Sequence, residues 1–520
     1  MANSAAKVLP ENNLRLVGKN TYTIDSFTEP VQKREFKAAG SGRLSADWVN
    51  TPLTIDQDLV WSLSRARARA RDLAQNNGYA KKVLFLEKIN VVGATGFILQ
   101  VKTNTGDPQF DTEANKIIES AWKEWSKKRY CTMSGKFSFR KVCEMVVETW
   151  KRDGEAFIRL HKSGKLNKFG FSLELIESDF VDETYNEDFT NGNVVRLGVE
   201  LDKYRRPVAY WIKQRSSADQ YAAQPTGTRI RIPAEEIIHL YDPERFDQTR
   251  GITDLVQSMG VLKQLEGYTE AALINARASA SKMGFYTQKD DAAPGMLDNS
   301  IDTETGEFSE DSGELTQEFI PGMIEILPKN YGFESWDSKF PSEVHDKFIK
   351  SYHRDFANAN LMSYVTVTDD LEGVNFSSIR QGVLGEREKF KRDQATVTED
   401  FLEIVYENWL TMAFLTNAIN LPYKNFSNYK NIKFLGRRWP WVDPYKDALA
   451  IQLLIKMGLK SYSEALGELS GREYEDIQRE KGEEKKIREA NGIKNDEDLD
   501  VQQTPDMTQI DGQTDGQNNG

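Results

Sequence analysis

The sequence predicts a mixed α+β protein, and three observations carry that expectation. Long stretches repeat apolar residues at three- and four-residue spacing, as a helix with one buried face requires. A central block between about residues 156 and 241 instead runs in short β-prone segments closed by turn-forming residues. No proline falls between Pro341 and Pro422, which leaves room for long helices.

Residues 1–50 are polar and mixed, with Gly40-Ser41-Gly42 ahead of Pro52, and are expected to form an arm outside the core. Ile55 to Asn76 is expected as a helix. Ala and Arg both favour helices, and no β-branched residue interrupts Arg65-Ala66-Arg67-Ala68-Arg69-Ala70-Arg71. Ala114 to Arg129 reads as an amphipathic helix with Ile117, Ala121 and Trp125 on one stripe. Ser138 to Arg152 reads as a second, with Val142, Val146 and Trp150 aligned and Gly154 just past its end. Strands are expected at Ala156 to His161, Phe171 to Ile176, Val194 to Leu201, Val208 to Lys213 and Ile237 to Tyr241, with a turn at Asp202 to Pro207.

Gly251 to Lys282 is a helical stretch rich in small residues, among them Gly260, Gly267, Ala271 and Ala276, and suits close packing on another helix of the same chain or of a neighbouring copy. Asp290 to Glu318 holds ten acidic residues and no Lys or Arg, the composition of a solvated insertion, and short strands are expected near Phe319 to Leu327. Helices are expected at Glu343 to Leu361 and Ser378 to Thr416. In the second, Val383, Phe390, Val397 and Ile404 recur at steps of seven. Between them runs a loop, Met362 to Ser377. Asp447 to Gly458 and Ser463 to Glu489 read as C-terminal helices. From Asn495 onward seven acidic residues and no basic ones point to a disordered tail.

Composition excludes several functions. Eighty acidic against 68 basic residues give a net charge of −12, which is not the footprint of a tight DNA binder. Mean hydropathy is −0.60, and the most apolar stretch, Val83 to Val101, is broken by Glu87, Lys88 and Asn90, so no membrane contact is expected. The first residues, MANSAAKVLPENN, carry no basic segment followed by an apolar block, and synthesis in the cytoplasm is expected. Cys131 and Cys143 have neither CxxC spacing nor histidine neighbours, which argues against a disulfide framework or zinc site. No GxxxxGK[ST], HExxH or GxSxG motif is present. His345 and His353 lie eight apart among only four histidines and are expected in surface or packing roles. No enzyme, cofactor or metal site is expected.

Four blocks, in order, resemble the portal proteins of lambda-like tailed phages over about residues 50–490. The first is RARARARDLAQNNGYAKKVLFLEKINVVGATGFILQ at 65–100. The second combines LELIESDFVD at 173–182, GVELDKYRRPVAYWI at 198–212 and IPAEEIIHLYDPERFDQTRGI at 232–252. The third joins FIPG at 319–322 to DDLEGVNFSSIRQGVLGEREKF at 369–390. The fourth is RRWPWVDPYKDALA at 437–450, followed by MGLKSYSEAL. One departure is NANLMSYVTVTDD, which lacks the glycine and proline usual before the third block.

The resemblance implies a phage portal fold: an α/β wing, a helical stem, a small β-containing clip and a helical crown, in a ring-forming homo-oligomer, usually a dodecamer. The wing would occupy 51–255 and 379–445, the stem helices 256–283 and 341–361, and the clip with its acidic insertion 284–340. The tunnel loop would be 362–378 and the crown 446–493, with an arm at 1–50 and an acidic tail at 494–520. The implied partners are double-stranded DNA passing through the channel, the terminase large subunit, the major capsid protein and scaffold, and a head-completion or connector protein. The implied place is the portal vertex of the virion capsid, after assembly in the host cytoplasm. The alternative is a DNA- or protein-processing enzyme of the same assembly module.

Asp369, Asp370, Glu372, Asn375, Ser377, Ser378 and Arg380 are then candidates for channel contact or loop positioning, and Ser377 or Ser378 could also cap the long helix. Arg65, Arg67, Arg69 and Arg71 are candidates for pairing with a neighbouring subunit or for DNA contact. Trp439, Pro440 and Trp441, with Asp443 and Pro444, are expected to form a rigid packed link. A net-negative ring would let a duplex slide, because neutralising many phosphates would release counterions and hold the DNA fast.

Overall fold

The computed structural model describes residues 51–214, 228–280, 345–372, 376–439, 444–470 and 474–492, together with four short strands elsewhere. Residues 1–54 form one unit, in which β1 (Arg15–Leu16) and β2 (Tyr22–Thr23) pair antiparallel; all else belongs to a second unit.

The second unit opens with α1 (Ile55–Asn76), the span expected from composition. Asn77 then caps α2 (Gly78–Val91), its side chain accepting from the amides of Tyr79 and Ala80. After β3 (Ile98–Val101), Asp107 caps α3 (Pro108–Trp125), with proline in the first turn. The expected stripe on α3 is displaced by one residue. Ala114, Ile118, Trp122 and Trp125 are buried while Ile117 is exposed, because the larger Trp122, not Ala121, enters the core. A single turn, α4 (Lys128–Cys131), leads to α5 (Phe139–Asp153), which Gly154 ends in the left-handed region at φ 93°.

A Cβ at Gly154 would sit 2.3 Å from the Ile252 carbonyl carbon. Gly154→Ala is therefore expected to cost more than about 1 kcal/mol, measured by urea denaturation, since both the backbone conformation and the contact disfavour a side chain.

The β-rich block follows as β4 (Glu155–Lys162), β5 (Phe171–Ile176), β6 (Glu187–Asp188), β7 (Val194–Arg196), β8 (Val199–Leu201), β9 (Pro207–Lys213), β10 (Arg229–Pro233) and β11 (Ile237–Tyr241). They form two antiparallel sheets, ordered β11-β4-β5 and β10-β9-β8-β7-β6. The expected strand from Val194 to Leu201 is instead a hairpin. Leu197 and Gly198, at φ 50° and 82°, reverse the chain between β7 and β8.

Helix α6 (Met259–Ala280) starts eight residues later than expected. Residues 251–258 are held out of it by bonds to α5, such as that from the Thr253 hydroxyl to the Lys151 carbonyl at 3.2 Å. Strands β12 (Gly284–Gln288) and β13 (Tyr331–Ser335) pair antiparallel; the acidic insertion and the strands expected near 319–327 lie outside the described residues. Then come α7 (His345–Ala359), α8 (Tyr364–Thr368), α9 (Phe376–Val397), a π turn (Thr398–Leu402) and α10 (Glu403–Leu415). β14 (Ile432–Leu435) returns to pair with β3. The described chain closes with α11 (Pro444–Lys456), α12 (Tyr462–Ser470) and α13 (Tyr474–Ala490), two helices where one was expected from 463 to 489; the tail beyond 494 lies outside the described residues.

The π turn explains why the heptad stripe fails at its last member. Phe390 and Val397 are buried but Ile404 is exposed, and burial moves to Val405, Tyr406 and Trp409. The Glu403 amide reaches back five residues to Thr398, so one extra residue fits into the turn and shifts the phase. The main core collects Trp122, Trp125, Trp150, Tyr406 and Trp409, with Trp122 edge-on to Trp409 at 5.0 Å. A second cluster packs Phe157, Val181, Tyr210 and Ile232. No helix among the described residues is long and apolar enough to cross a membrane.

Candidate functional site: the loop before α9 and two buried charge frames

The loop segment is braced from both sides. Ser363 caps α8, its hydroxyl accepting from the Thr366 amide at 3.3 Å, and Asp369 ends the helix at φ 58°. The buried Glu386 of α9 accepts from the Ser363 amide and from the Thr366 hydroxyl, tying α8 to the long helix. Of the expected loop acids, Asp369 meets Lys82 of α2 at 2.5 Å, and Glu372 meets Lys350 of α7 at 2.6 Å. Asp370 accepts from the Tyr364 hydroxyl at 2.6 Å and lies 3.7 Å from Lys350. The Tyr364 hydrogen bond and the Glu372 amide hold the Asp370 carboxyl below the usual aspartate range, with Lys350 adding to them. Three candidates are thus brought together on two lysines. Asn375 and the Ser377 and Ser378 side chains lie outside the described residues. Both serines fall in the first turn of a helix that begins at Phe376, rather than at its cap. Arg380 is half-buried.

Lys350→Met is expected to raise amide exchange across residues 369–372 with little change in melting temperature, since these pairs are solvent-exposed. Unchanged exchange there would contradict the bracing role.

Arg67 and Arg71, grouped in the sequence with Arg65 and Arg69 as intersubunit or DNA contacts, are engaged inside the chain instead. Their i,i+4 spacing on α1 puts both on its inner face. The buried Arg67 guanidinium donates to Asp179 at 2.7 Å and to Glu155 at 3.3 Å, and lies 3.3 Å from Glu183. Arg71 grips Asp153 at 3.1 and 2.7 Å and also pairs with Asp179. Arg65 and Arg69 are exposed, and Arg65 donates to the Trp61 carbonyl of its own helix.

Glu155, the first residue of β4, is the centre of this frame. Its fully buried carboxylate accepts two bonds from Arg250, at 2.6 and 2.7 Å, one from Gly251 N–H at 3.2 Å, and contacts His239 Nε2 at 3.1 Å. Burial pushes its pKa up, but Arg250 and His239 outweigh that and hold it far below the usual glutamate range. Burial also lowers the pKa of His239, against the pull of Glu155.

A second frame joins α2, α5 and α9. Glu87 pairs with Lys389, while Lys151 pairs with Asp254 at 3.0 Å and Asp393 at 3.1 Å. Burial raises the Glu87 pKa, with Lys389 pulling the other way. A cavity of about 260 Å³ adjoins these groups. Trp439 donates to Asn90 at 2.9 Å and stacks on Phe390, as a packed link would; residues 440–443 lie outside the described residues.

The other histidines and the cysteines are packed or paired within the chain. His353 is buried beside Tyr79 with ring centroids 4.4 Å apart, His345 contacts the Tyr268 hydroxyl at 2.9 Å, and His161 contacts Glu174 at 2.7 Å. Cys131 and Cys143 are buried free thiols. Among the described residues, no group of three or more His, Cys, Asp or Glu is placed to hold a metal.

Comparison with known proteins gives these observations a family. The family described as phage portal protein, lambda family, matches residues 41–394. The chain is 34% identical over 454 residues to the probable portal protein of Halomonas phage phiHAP-1, covering 86% of each. It is 20% identical over 486 residues to portal protein B of Escherichia phage lambda, covering 88% of this chain and 90% of that one. Among solved structures, a chain from the neck of an empty GTA particle covers 82% of this chain and 96% of its own, at 14% identity and a TM-score of 0.39. The family match over most of the length and the 34% relative together mean that the chain belongs to the lambda family of phage portal proteins.

Proposed function

We propose that this portal protein assembles into a ring, dodecameric as the family resemblance implies, at one vertex of the capsid, where duplex DNA is packaged and ejected through its centre. The match over residues 41–394 carries this reading. In it, residues 51–255 and 379–445 form the wing, 256–283 and 341–361 the stem, 284–340 the clip, 362–378 the tunnel loop and 446–493 the crown. The terminase large subunit docks during packaging, the major capsid protein and scaffold during assembly, and a head-completion or connector protein afterwards. Packing in the proposed stem supports it. Helix α6 lies against α7 through Tyr268 and Phe348, rings 4.5 Å apart, and leaves Leu273 and Ile274 exposed for a neighbouring copy to cover.

Of the two roles expected of the loop acids, the geometry supports positioning. Asp369, Asp370 and Glu372 position the loop through Lys82 and Lys350, and the duplex meets a segment whose charges are largely matched. The net charge of −12 per subunit then favours passage over retention.

Twelve copies of a 59.3 kDa chain make a particle of about 710 kDa. Light scattering with negative-stain imaging is expected to find a hollow ring near that mass. A compact monomer under assembly conditions would overturn the proposal.

A further inference from the structure

We propose that an exposed basic surface around the end of α3 is a docking site for the phosphate backbone of duplex DNA, built from elements other than the loop before α9. The proposal takes duplex DNA as the partner from the portal reading above, and rests on it to that extent.

Residues 123–141 carry seven Lys or Arg and one acid, Glu124, and residues 161–168 add three Lys and no acid, in a chain that is acidic overall. The fold brings these segments together. The Asn167 side chain donates to the Tyr130 carbonyl at 3.2 Å, the Ser172 hydroxyl donates to the same oxygen at 2.9 Å, and Lys168 pairs with Glu124 at 2.5 Å. The Phe139 amide donates to the Ser126 carbonyl at 2.9 Å, which sets the start of α5, with Arg140 and Lys141, beside the end of α3.

Arg140 and Lys141 pair with Glu144, and Lys168 with Glu124, but the other cations here are treated differently from those of the interior. Arg67, Arg71, Lys151 and Lys389 all have carboxylate partners. Lys123, Lys127, Lys128, Arg129, Lys136 and Lys165 are exposed, and none has a carboxylate within ion-pair distance among the described residues. Like charges gathered without counter-charges repel one another, and a polyanion removes that repulsion.

The side-chain types select the partner. Packed protein interfaces are depleted in lysine and enriched in aromatics. In these two segments Met133 is the one large apolar side chain that is exposed, so there is no apolar centre for a protein to cover. Exposed, flexible lysines instead suit phosphates spaced along a duplex, read without regard to sequence.

The test uses assembled rings and a fluorescent duplex of random sequence, with anisotropy followed from 50 to 200 mM salt. The triple variant Lys127→Gln, Lys128→Gln, Arg129→Gln is expected to lower the slope of log affinity against log salt by about 2 to 3, at about 0.9 per lost phosphate contact. The pair Lys136→Gln, Lys165→Gln, on different segments, should lower it by about 1 to 2. The control pair Lys203→Gln, Lys424→Gln should leave it unchanged. Intact rings whose slope is the same with and without the patch substitutions would overturn the proposal. So would a surface that prefers polyglutamate to duplex, the mark of an acidic protein partner. Absence of rings in the unsubstituted protein is a separate result, scored by imaging, and counts against the portal reading instead.

Discussion

Glu155→Ala is expected to destabilise the folded subunit by about 3 to 5 kcal/mol, the range for removing one member of a buried ion pair. The carboxylate is fully buried and serves Arg250, Arg67, His239 and the Gly251 amide together. Its loss leaves two guanidiniums in the interior without their shared counter-charge. Those groups come from α1 and from the segment leading to α6, so the damage spreads beyond β4. Equilibrium urea denaturation measures the loss; a change under about 1 kcal/mol would mean that the arginines find water or Asp179 instead. The pH dependence has a defined sign. The folded-state pKa lies below the ordinary value of 4.5, so the stabilisation is complete above about pH 4.5 and fades as pH falls through the depressed value. The stability gap between the unsubstituted protein and Glu155→Gln should therefore narrow from pH 7 to pH 4.

Trp409→Ala is expected to cost about 3 to 5 kcal/mol through the cavity it leaves. Trp409 has no exposed surface and touches Trp122 at 5.0 Å, Tyr406 at 5.8 Å and Trp125 at 6.2 Å between ring centroids. Its indole N–H has no hydrogen-bond partner among the described residues. Trp409→Phe therefore removes volume but no hydrogen bond, and should cost much less than the alanine variant. Equal losses in the two, by urea midpoint, would show that the indole N–H matters after all.

Much of the helical framework is legible in the sequence because local signals decide it. The Arg-Ala run fixes α1, and Gly154 fixes the end of α5. The α3 face is harder to read, since Ile117 and Ile118 offer two overlapping stripes and only the aromatic core chooses between them. The roles of the arginines are not local either. Alternate residues in Arg65 to Arg71 look equivalent along the chain, yet Arg67 and Arg71 meet acids 82 to 116 positions away while Arg65 and Arg69 face outward. Glu155 and Lys151 are unremarkable letters in an acidic protein, and nothing short of the fold reveals that they are buried. The basic run from Lys123 to Lys141 is the reverse case. It is plain in the sequence, and a whole-chain charge of −12 conceals it.

The π turn at Thr398–Leu402 bears on how chains of this family can vary in length. A five-residue turn holds one residue more than the surrounding helix needs. Deleting one position there would close the turn into ordinary α-helix while Phe390 and Val397 on one side, and Tyr406 and Trp409 on the other, kept their places in the core. An alignment of portal sequences can therefore open a one-residue gap at 398–402 without moving either half, whereas the same gap in α9 or α10 would rotate a buried face toward water.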